Sequence, residues 1–520
     1  TLPEENILGQ AILESAINNH AKGDIKEASK FYKLYLEKGL KNANVYLNYG
    51  VICQNNNNIN EAISLYKRCI DDFPHRHESY SNLGNLYRIM GKNKDAEILI
   101  RKAIKLNPNF DLAYNNLGNT LNAQKKFKEA EKAFLKAINI NPNFAVAINN
   151  LASLYKDQNK LDIAEEMTRK ALAINDKIPE AQNNLGIILK KIGNIKEAKL
   201  AFENAIKINK NFDIAYCNLG NLLQEIGNLE EAKIVYKKSI DINPNSELSF
   251  YNLGIILRDT GKIKEADELF QKVVELKPNF AFGHMNLAIC QYIQNRKELA
   301  IKSIKKAKVI DSKSKIIELL LIVISNNIFD DKIKFKQKKK IYNKINESNP
   351  LILQKDVDEN IINYLHQINS LDLNKFKDPT FGNARGSDYQ LFEDTNTILT
   401  QLKDDLLKIC TEAANSKIFI VDSFFTILGA GGRVDKHNHI GSMDKLEVLN
   451  LGTRKYSLVY YLSVGSQDCS QPGLLKLYAP DEEVKPEPGM IVIFPSDRYH
   501  SVSYNGNKER VIVGINFYSI

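Results

Sequence analysis

The sequence lacks the features that mark several classes of protein. Its six cysteines show neither Cys-x-x-Cys spacing nor a disulfide framework, which predicts unpaired thiols in a reducing compartment, and we expect a cytoplasmic protein. The longest apolar run, IIELLLIVI (residues 316–324), is too short to span a bilayer and contains a glutamate. The formal net charge is +9, but no long basic stripe is interleaved with aromatic residues. We therefore expect no nucleic-acid or membrane partner, and the densest basic stretch (332–344) is predicted to be a solvated linker or helix face.

Repetition at a spacing of 34 residues dominates the first three hundred residues. Small residues recur at Ala16, Gly50, Gly84, Gly118, Ala152, Gly186, Gly220, Gly254 and Ala288. A second series lies twelve residues further on, at Ala28, Ala62, Ala96, Ala130, Ala164, Ala198, Ala232, Ala266 and Ala300. Prolines follow in phase at Pro74, Pro108, Pro142, Pro244 and Pro278.

These positions have a steric explanation. Small residues at fixed offsets let two helices approach closely, and a proline ends the second helix before the next helix begins. The unit AYNNLGNTLNAQKKFKEAEKAFLKAININPNF is typical of the series and is identified as a tetratricopeptide repeat. Nine uninterrupted units over residues 7–312 predict an all-α superhelical solenoid with a long concave surface.

One polar position recurs more regularly than helix packing requires. It is Asn48, Asn82, Asn116, Asn150, Asn184, Asn218, Asn252 and Asn286, a set that we call the ladder asparagines. Asn is a poor residue for a helix interior, but its amide offers both a donor and an acceptor to a peptide unit. The arrangement resembles the asparagine ladder in the repeats of O-GlcNAc transferase, which implies an extended polypeptide partner. The alternative is that each Asn bonds a neighbouring turn of helix.

The resemblance to that transferase ends with the repeats. A catalytic half with two nucleotide-binding α/β lobes does not fit into the two hundred residues that remain. These residues contain no Gly-rich phosphate loop that leads into a helix, and GAGG (429–432) lies between strand-like runs. We therefore predict that GAGG is a turn.

The C-terminal part has a different pattern from the repeats. Residues 355–369 and 396–414 are predicted to form two amphipathic helices. Short β-branched and aromatic runs then alternate with Gly, Pro and Asn turns. The pattern predicts a multidomain chain in which residues 313–349 are a linker or capping helices. Residues 350–520 would form a double-stranded β-helix, or jelly roll, with a helical layer.

Histidines in this domain follow a spaced pattern. His437 and His439 alternate on a strand that is predicted to leave the GAGG turn, so both would face one side. His500 follows the apolar run MIVIFPSDRY, and Arg510 comes ten residues later. This order resembles the Fe(II)/2-oxoglutarate-dependent dioxygenases, in particular a bacterial and phage branch that carries His-x-His. The resemblance implies that Fe(II) binds at the histidines and that Arg510 binds the far carboxylate of 2-oxoglutarate.

The third iron ligand is the departure from this pattern. Most of that superfamily has an acid where this chain has His439. Either His439 is itself a ligand, or an acid such as Asp444 or Asp435 supplies the anion. A neutral ligand changes the redox properties of the iron, so a degenerate jelly roll that serves as a non-enzymatic scaffold is one alternative. A cupin-type dioxygenase, which uses three histidines without 2-oxoglutarate, is another.

Taken together, the patterns predict a two-part enzyme. The repeats would hold an extended protein or peptide, and the jelly roll would hydroxylate one of its side chains with Fe(II) and 2-oxoglutarate. Arg510 and the run FPS before the distal histidine favour this interpretation over the cupin type. The sequence indicates neither the modified residue nor the oligomeric state.

Overall fold

The chain forms two compact units, Thr1–Ser249 and Phe250–Ile520. The computed structural model describes residues 2–325, 350–368, 371–372, 382–386, 390–439, 444 and 451–520. The predicted basic stretch at 332–344 and most of the predicted linker lie outside these residues. Among the helices in the described ranges, none is both long and apolar enough to cross a membrane.

Residues 2–310 are all described and form eighteen consecutive helices. These helices are α1 (Leu2–Ala21), α2 (Ile25–Glu37), α3 (Ala43–Asn55), α4 (Ile59–Asp72), α5 (His77–Ile89), α6 (Asn93–Leu106), α7 (Asp111–Ala123), α8 (Phe127–Ile140), α9 (Ala145–Asp157), α10 (Leu161–Ile174), α11 (Pro179–Ile192), α12 (Ile195–Ile208), α13 (Asp213–Glu225), α14 (Leu229–Ile242), α15 (Glu247–Asp259), α16 (Ile263–Leu276), α17 (Ala281–Ile293) and α18 (Lys297–Ile310). The predicted all-α solenoid is confirmed.

Close approach between the two helices of a repeat explains the small residues. A Cβ atom on Gly118 of α7 would lie 2.5 Å from the ring of Phe134 on α8, and other repeats have the same pairing of glycine with a large side chain. The nine phased alanines of the second series are fully buried. A phased proline follows the end of its helix, as Pro142 follows α8. The 34-residue pattern therefore records steric contacts inside each helix pair.

The second unit adds a mixed helical and strand region to its repeats. Its further helices are α19 (Lys315–Ser325), α20 (Glu359–Gln367) and α21 (Thr397–Ala414), with short 3-10 helices at Leu391–Glu393 and Gly452–Arg454. Its strands are β1 (Leu351–Gln354), β2 (Leu371–Asp372), β3 (Gly382–Gly386), β4 (Ile418–His437), β5 (Lys455–Ser463), β6 (Leu475–Leu477), β7 (Glu482–Val484), β8 (Met490–Pro495), β9 (His500–Tyr504) and β10 (Arg510–Ser519). Helices α20 and α21 form the predicted helical layer.

The strands form one curled antiparallel sheet. Eight of them follow the order β1-β8-β5-β10-β4-β9-β6-β7, and β3 pairs with both β4 and β2 beside this path. Strand β4 belongs to both halves of this order, because its first part pairs with β10 and its last part pairs with β9. The predicted jelly roll is confirmed, but the predicted GAGG turn is wrong. GAGG continues β4 and marks where the strand changes partner, and Gly431 has φ of 80° there, a conformation that glycine adopts without strain.

Side chains of β10 alternate between two cores. Val511 and Val513 pack with Leu402 and Leu406 of α21 in the core between the sheet and the helical layer. Ile512 lies in the core inside the curled sheet. The inner face of β10 therefore points into the interior, where the candidate site lies.

The last helices of the repeat region contribute to a third core in the second unit. Leu320 of α19 and Ile304 of α18 are buried with Tyr518 of β10, and Phe419 and Val421 of β4 pack against them. Part of the predicted linker thus lies in α19, a helix that contacts the sheet.

Candidate metal centre

Strand pairing brings His437 and His500 together. The two residues are register partners at the end of β4 and the start of β9, next to an irregularity in the pairing after Val434. His439 was predicted to lie on the same strand as His437, but β4 ends at His437. The backbone N–H of His439 donates to the carbonyl of Ser496 at 2.9 Å, which fixes the chain as it leaves the strand.

The three imidazoles form a compact cluster. One ring nitrogen from each of His437, His439 and His500 lies within 4.8 Å of the others. The ring centroids are 4.3 Å apart for His437 and His500, and 5.0 Å apart for each pair that includes His439. A metal ion needs ligand atoms of this type at this spacing, because imidazole nitrogens bind first-row metals at about 2 Å.

Burial keeps two of these imidazoles neutral, which is the form that binds a metal. It lowers the pKa of His439 to about 2, helped by the neighbouring His500, His437 and Lys455. Burial also lowers the pKa of His500 to about 3, with a smaller contribution from His437. The physical reason is that the charged imidazolium loses its hydration inside the sheet.

His439 is held both at its backbone and at its ring. Lys455 Nζ donates to the carbonyl oxygen of His439 at 2.7 Å. Asn516 places its side-chain amide 3.5 Å from Nδ1 of His439, and the same amide lies 3.3 Å from Asp422 Oδ2 and accepts from Ser457 at 2.8 Å. Such contacts orient a metal-binding imidazole.

The two acids that the sequence suggested as alternative iron ligands, Asp444 and Asp435, are not described equally by the structure. Asp444 is buried, pairs with Lys455 Nζ at 3.1 Å and accepts from the hydroxyl of Tyr518. Among the described side chains it does not belong to the group whose ligand atoms converge. The side chain of Asp435 lies outside the described residues.

Arg510 lies at the start of β10 with its side chain almost fully buried. Its Nη1 donates to the carbonyl of Gly473, where any Cβ atom would collide with the guanidinium. The ring of Tyr461 lies 4.7 Å from its central carbon. Arg510 Nε is buried and has no hydrogen-bond partner among the described residues, and burial lowers the pKa of the group. A buried cation with an unused donor suits a carboxylate ligand.

Comparisons with known families agree with both units. Models described as tetratricopeptide repeat match residues 43–71, 77–110, 112–144, 133–166, 179–212, 214–246 and 235–268. A model described as the 2OG-Fe(II) oxygenase superfamily matches residues 424–518, a range that includes all three histidines and Arg510. The chain joins tetratricopeptide repeats to a 2OG-Fe(II) oxygenase domain. That family implies Fe(II) and 2-oxoglutarate as cofactors, and the three-histidine cluster fits iron.

Comparisons with whole proteins give less information than the family matches. A search of curated proteins finds no match. Among solved structures, the APC/C hetero-tetramer Cut9-Hcn1 matches with a TM-score of 0.47 and 15% identity, over 57% of this chain and 59% of that chain. YrrB, titled a TPR protein with an unusual peptide-binding site, matches with a TM-score of 0.31 and 25% identity, over 36% of this chain and 97% of YrrB.

The ladder asparagines of the repeats bond to neighbouring helices. In the first unit, Asn150, Asn184 and Asn218 each donate through Nδ2 to the asparagine 35 residues earlier, at 2.8 to 3.0 Å. Asn116 donates in the same way to Ser81 at 3.0 Å. In the second unit, Asn286 donates to Tyr251 at 3.3 Å. The donor of these amides is therefore used between successive repeats. Two of the acceptors are used as well, because Oδ1 of Asn286 accepts from Arg258 and Oδ1 of Asn184 accepts from Lys156.

Three residues around His439 were missed from the sequence. Lys455, Asn516 and Asp422 meet there from three strands, β5, β10 and β4. Each is a polar residue within an otherwise apolar strand, and this pattern could have indicated a role for it from the sequence. Their convergence on the oxygenase site depends on long-range strand pairing, which no local pattern predicts.

Proposed function

We propose that the oxygenase domain is an Fe(II)/2-oxoglutarate-dependent dioxygenase that hydroxylates a side chain of a protein or peptide. His437, His439 and His500 would hold the iron, and Arg510 would bind the far carboxylate of 2-oxoglutarate. The observation that supports this most directly is that three imidazole nitrogens converge within 4.8 Å inside the part of the chain that matches the oxygenase model.

The residues suit this chemistry in separate ways. Three imidazole ligands would leave room on Fe(II) for a bidentate 2-oxo acid and for dioxygen, and the iron would supply their redox chemistry when bound. Arg510 offers a planar fork that pairs with a carboxylate better than an ammonium does. Because no side-chain carboxylate joins the converging group among the described residues, we assign the third ligand position to His439.

The repeats would supply the substrate. They consist of successive helix pairs in which ladder amides such as Asn116, Asn150 and Asn218 would offer Oδ1 to backbone N–H groups of an extended chain. Binding of a protein or peptide there would raise its local concentration at a linked catalytic domain. The site of hydroxylation on that substrate would follow from the peptide that the repeats select.

Metal content and succinate release test the proposal. The purified chain should bind about one Fe(II) and release succinate from 2-oxoglutarate when it is supplied with a pool of lysate peptides. The change His500→Ala should abolish both, because two imidazoles hold iron far less tightly than three. His366→Ala serves as the matched control, since His366 lies on α20 outside the cluster. Unchanged metal content in His500→Ala, measured by elemental analysis, contradicts the assignment.

Two other candidates are distinguished in the same experiment. A cupin-type centre would bind metal at the three histidines but would not bind 2-oxoglutarate. A non-enzymatic scaffold would bind peptides and release no succinate under any condition. The buried, incompletely paired guanidinium of Arg510 favours the 2-oxoglutarate enzyme over both.

A further inference from the structure

A stripe of exposed side chains crosses four consecutive repeats of the first unit. Leu112 on α7, Val146 on α9 and Ile214 on α13 are 37%, 45% and 53% exposed. Glu180 on α11 occupies the equivalent position and is also exposed. Each residue lies four positions before a ladder asparagine, so it is on the same helix face. From α7 to α13, the residues of the stripe are therefore apolar, apolar, acidic and apolar.

The stripe is continuous because its helices are neighbours. Helix α7 contacts α9, α9 contacts α11, and α11 contacts α13. The amide bonds from Asn150 to Asn115, from Asn184 to Asn149 and from Asn218 to Asn183 join the same helices in the same order. Large aliphatic side chains that are exposed in register on adjacent helices form an apolar surface, unlike single exposed residues.

The stability of the individual helices does not explain why these side chains of the stripe are exposed. Glu180 lies in the first turn of α11, where an acid suits the helix dipole. Leu112, Val146 and Ile214 gain nothing from that dipole, and their exposure carries a solvation cost. Glu180 makes no ion pair with any described residue of the chain. A partner that covers the three aliphatic side chains and neutralises the acid would remove both costs.

The spacing of the helices limits the shape of that partner. Packed helix axes are about 8–10 Å apart, and an extended polypeptide in the polyproline II conformation advances about 3.1 Å per residue with three residues per turn. One step along the stripe therefore corresponds to about three residues, or one turn, of such a chain, so every third side chain faces the stripe. The Oδ1 acceptors of Asn116, Asn150 and Asn218, one turn further along α7, α9 and α13, suit the backbone N–H groups of such a chain.

We infer that the stripe selects an extended polypeptide segment with apolar side chains about three residues apart and a lysine or arginine at the place that faces Glu180. In one chain direction this is apolar-x-x-apolar-x-x-basic-x-x-apolar, and the opposite direction gives the reversed order. This inference rests on the proposed function, since it names the class of polypeptide that the repeats would deliver to the oxygenase domain.

A charge exchange between chain and peptide tests the acidic position. We would titrate the full-length protein into labelled ten-residue peptides of this pattern and measure fluorescence anisotropy. Replacing the peptide lysine by glutamate should weaken binding to the parent protein about threefold to tenfold at low salt. Glu180→Lys should reverse this preference. Glu166→Lys, at an exposed acid on α10, should leave it unchanged.

A second pair of variants tests the apolar positions. Ile214→Gln should weaken the binding of the patterned peptide, because it removes apolar area from the contact. Ile234→Gln is the matched control, since Ile234 is 68% exposed but lies on α14, outside the stripe. Equal affinity of parent and Glu180→Lys for both peptides, or no peptide binding by the parent, overturns the inference. Iron and 2-oxoglutarate binding, measured on the same samples, reports separately on the proposed catalytic function.

Discussion

His439 completes the histidine cluster, and its neighbours show how the chain holds it there. The residue comes after the end of β4, so no strand pairing holds it. Lys455 binds its carbonyl, and the amide of Asn516 lies beside its ring. A buried carboxylate in this network, that of Asp444, pairs with Lys455. At the scale of single residues, a buried ion pair therefore lies beside the candidate ligands.

The buried pair makes a prediction about stability. Lys455→Met leaves Asp444 buried without its cation, which should lower the free energy of unfolding by about 3–5 kcal/mol. The double change Lys455→Met with Asp444→Asn removes both charges and should recover part of the loss. Urea denaturation of the parent, single and double variants measures this. If the single and double variants are equally unstable, the pair does not stabilise the site.

Arg510 makes a prediction about cofactor affinity. Arg510→Ala should retain iron but bind 2-oxoglutarate about thirtyfold to a few thousandfold more weakly, because truncating one partner of a buried charge pair costs about 2–5 kcal/mol. Arg510→Lys should recover only part of the affinity, since an ammonium lacks the planar fork. Anaerobic calorimetric titration of the iron-loaded protein gives the affinities. Equal binding by the parent and Arg510→Ala would remove Arg510 from the cofactor site.

At the scale of elements, the ladder joins the first helices of successive repeats. Both interpretations of the asparagines can hold at once, because Nδ2 and Oδ1 are separate groups on one amide. Nδ2 bonds the preceding helix in the first unit, while contact of Oδ1 with a polypeptide stays a prediction. The ladder is therefore expected to contribute to stability whether or not it also binds a peptide.

A multiple substitution separates these contributions. Changing Asn116, Asn150, Asn184 and Asn218 to Ala should keep the helical content, because Ala is the better helix former. It should lower the free energy of unfolding by on the order of 1 kcal/mol for each lost hydrogen bond. Peptide affinity, measured well below the melting temperature, should also fall. Unchanged affinity with reduced stability would restrict the ladder to packing between repeats.

Whether an element can be predicted depends on how far apart its contacting residues lie in the sequence. Helix pairs could be predicted because glycine and its large partner, as in Gly118 and Phe134, lie within one repeat and recur. The mid-strand position of GAGG could not, because β4 continues there through pairing with strands that are distant in sequence, β3, β9 and β10. His437, His439 and His500 were found because their residue type is rare in this chain. Their support from Lys455 and Asn516 was missed, since lysine and asparagine are common.

At the scale of the whole molecule, the second compact unit begins inside the repeat region. Residues of α17, α18 and α19 share a core with β4 and β10. The predicted domain start at residue 350 would separate these helices from the sheet. Residues such as Tyr518, which is 2% exposed, would then meet water.

Two fragments test this division. A fragment of residues 247–520 should fold cooperatively and bind iron, because it keeps the helices that cover the sheet. A fragment of residues 350–520 should be less stable and should bind a hydrophobic dye, since Phe419, Val421 and Tyr518 lose their cover. Circular dichroism during heating and dye fluorescence compare them. Equal stability of the two fragments would show that the helices are dispensable.

The two ends of strand β4 limit which insertions and deletions this part of the sequence can tolerate. One end of the strand carries Phe419 and Val421 in the core with α19, and the other end carries His437 in the histidine cluster. Side chains alternate along a strand, and irregularities in its pairing, such as the one between Val434 and His437, shift that alternation. Loss or gain of a single codon between Val421 and His437 would turn one end to the wrong face unless a bulge were lost or gained with it. Descendants of this sequence that retain the site and differ in the length of this segment by an odd number of residues should therefore also differ in the bulges of β4.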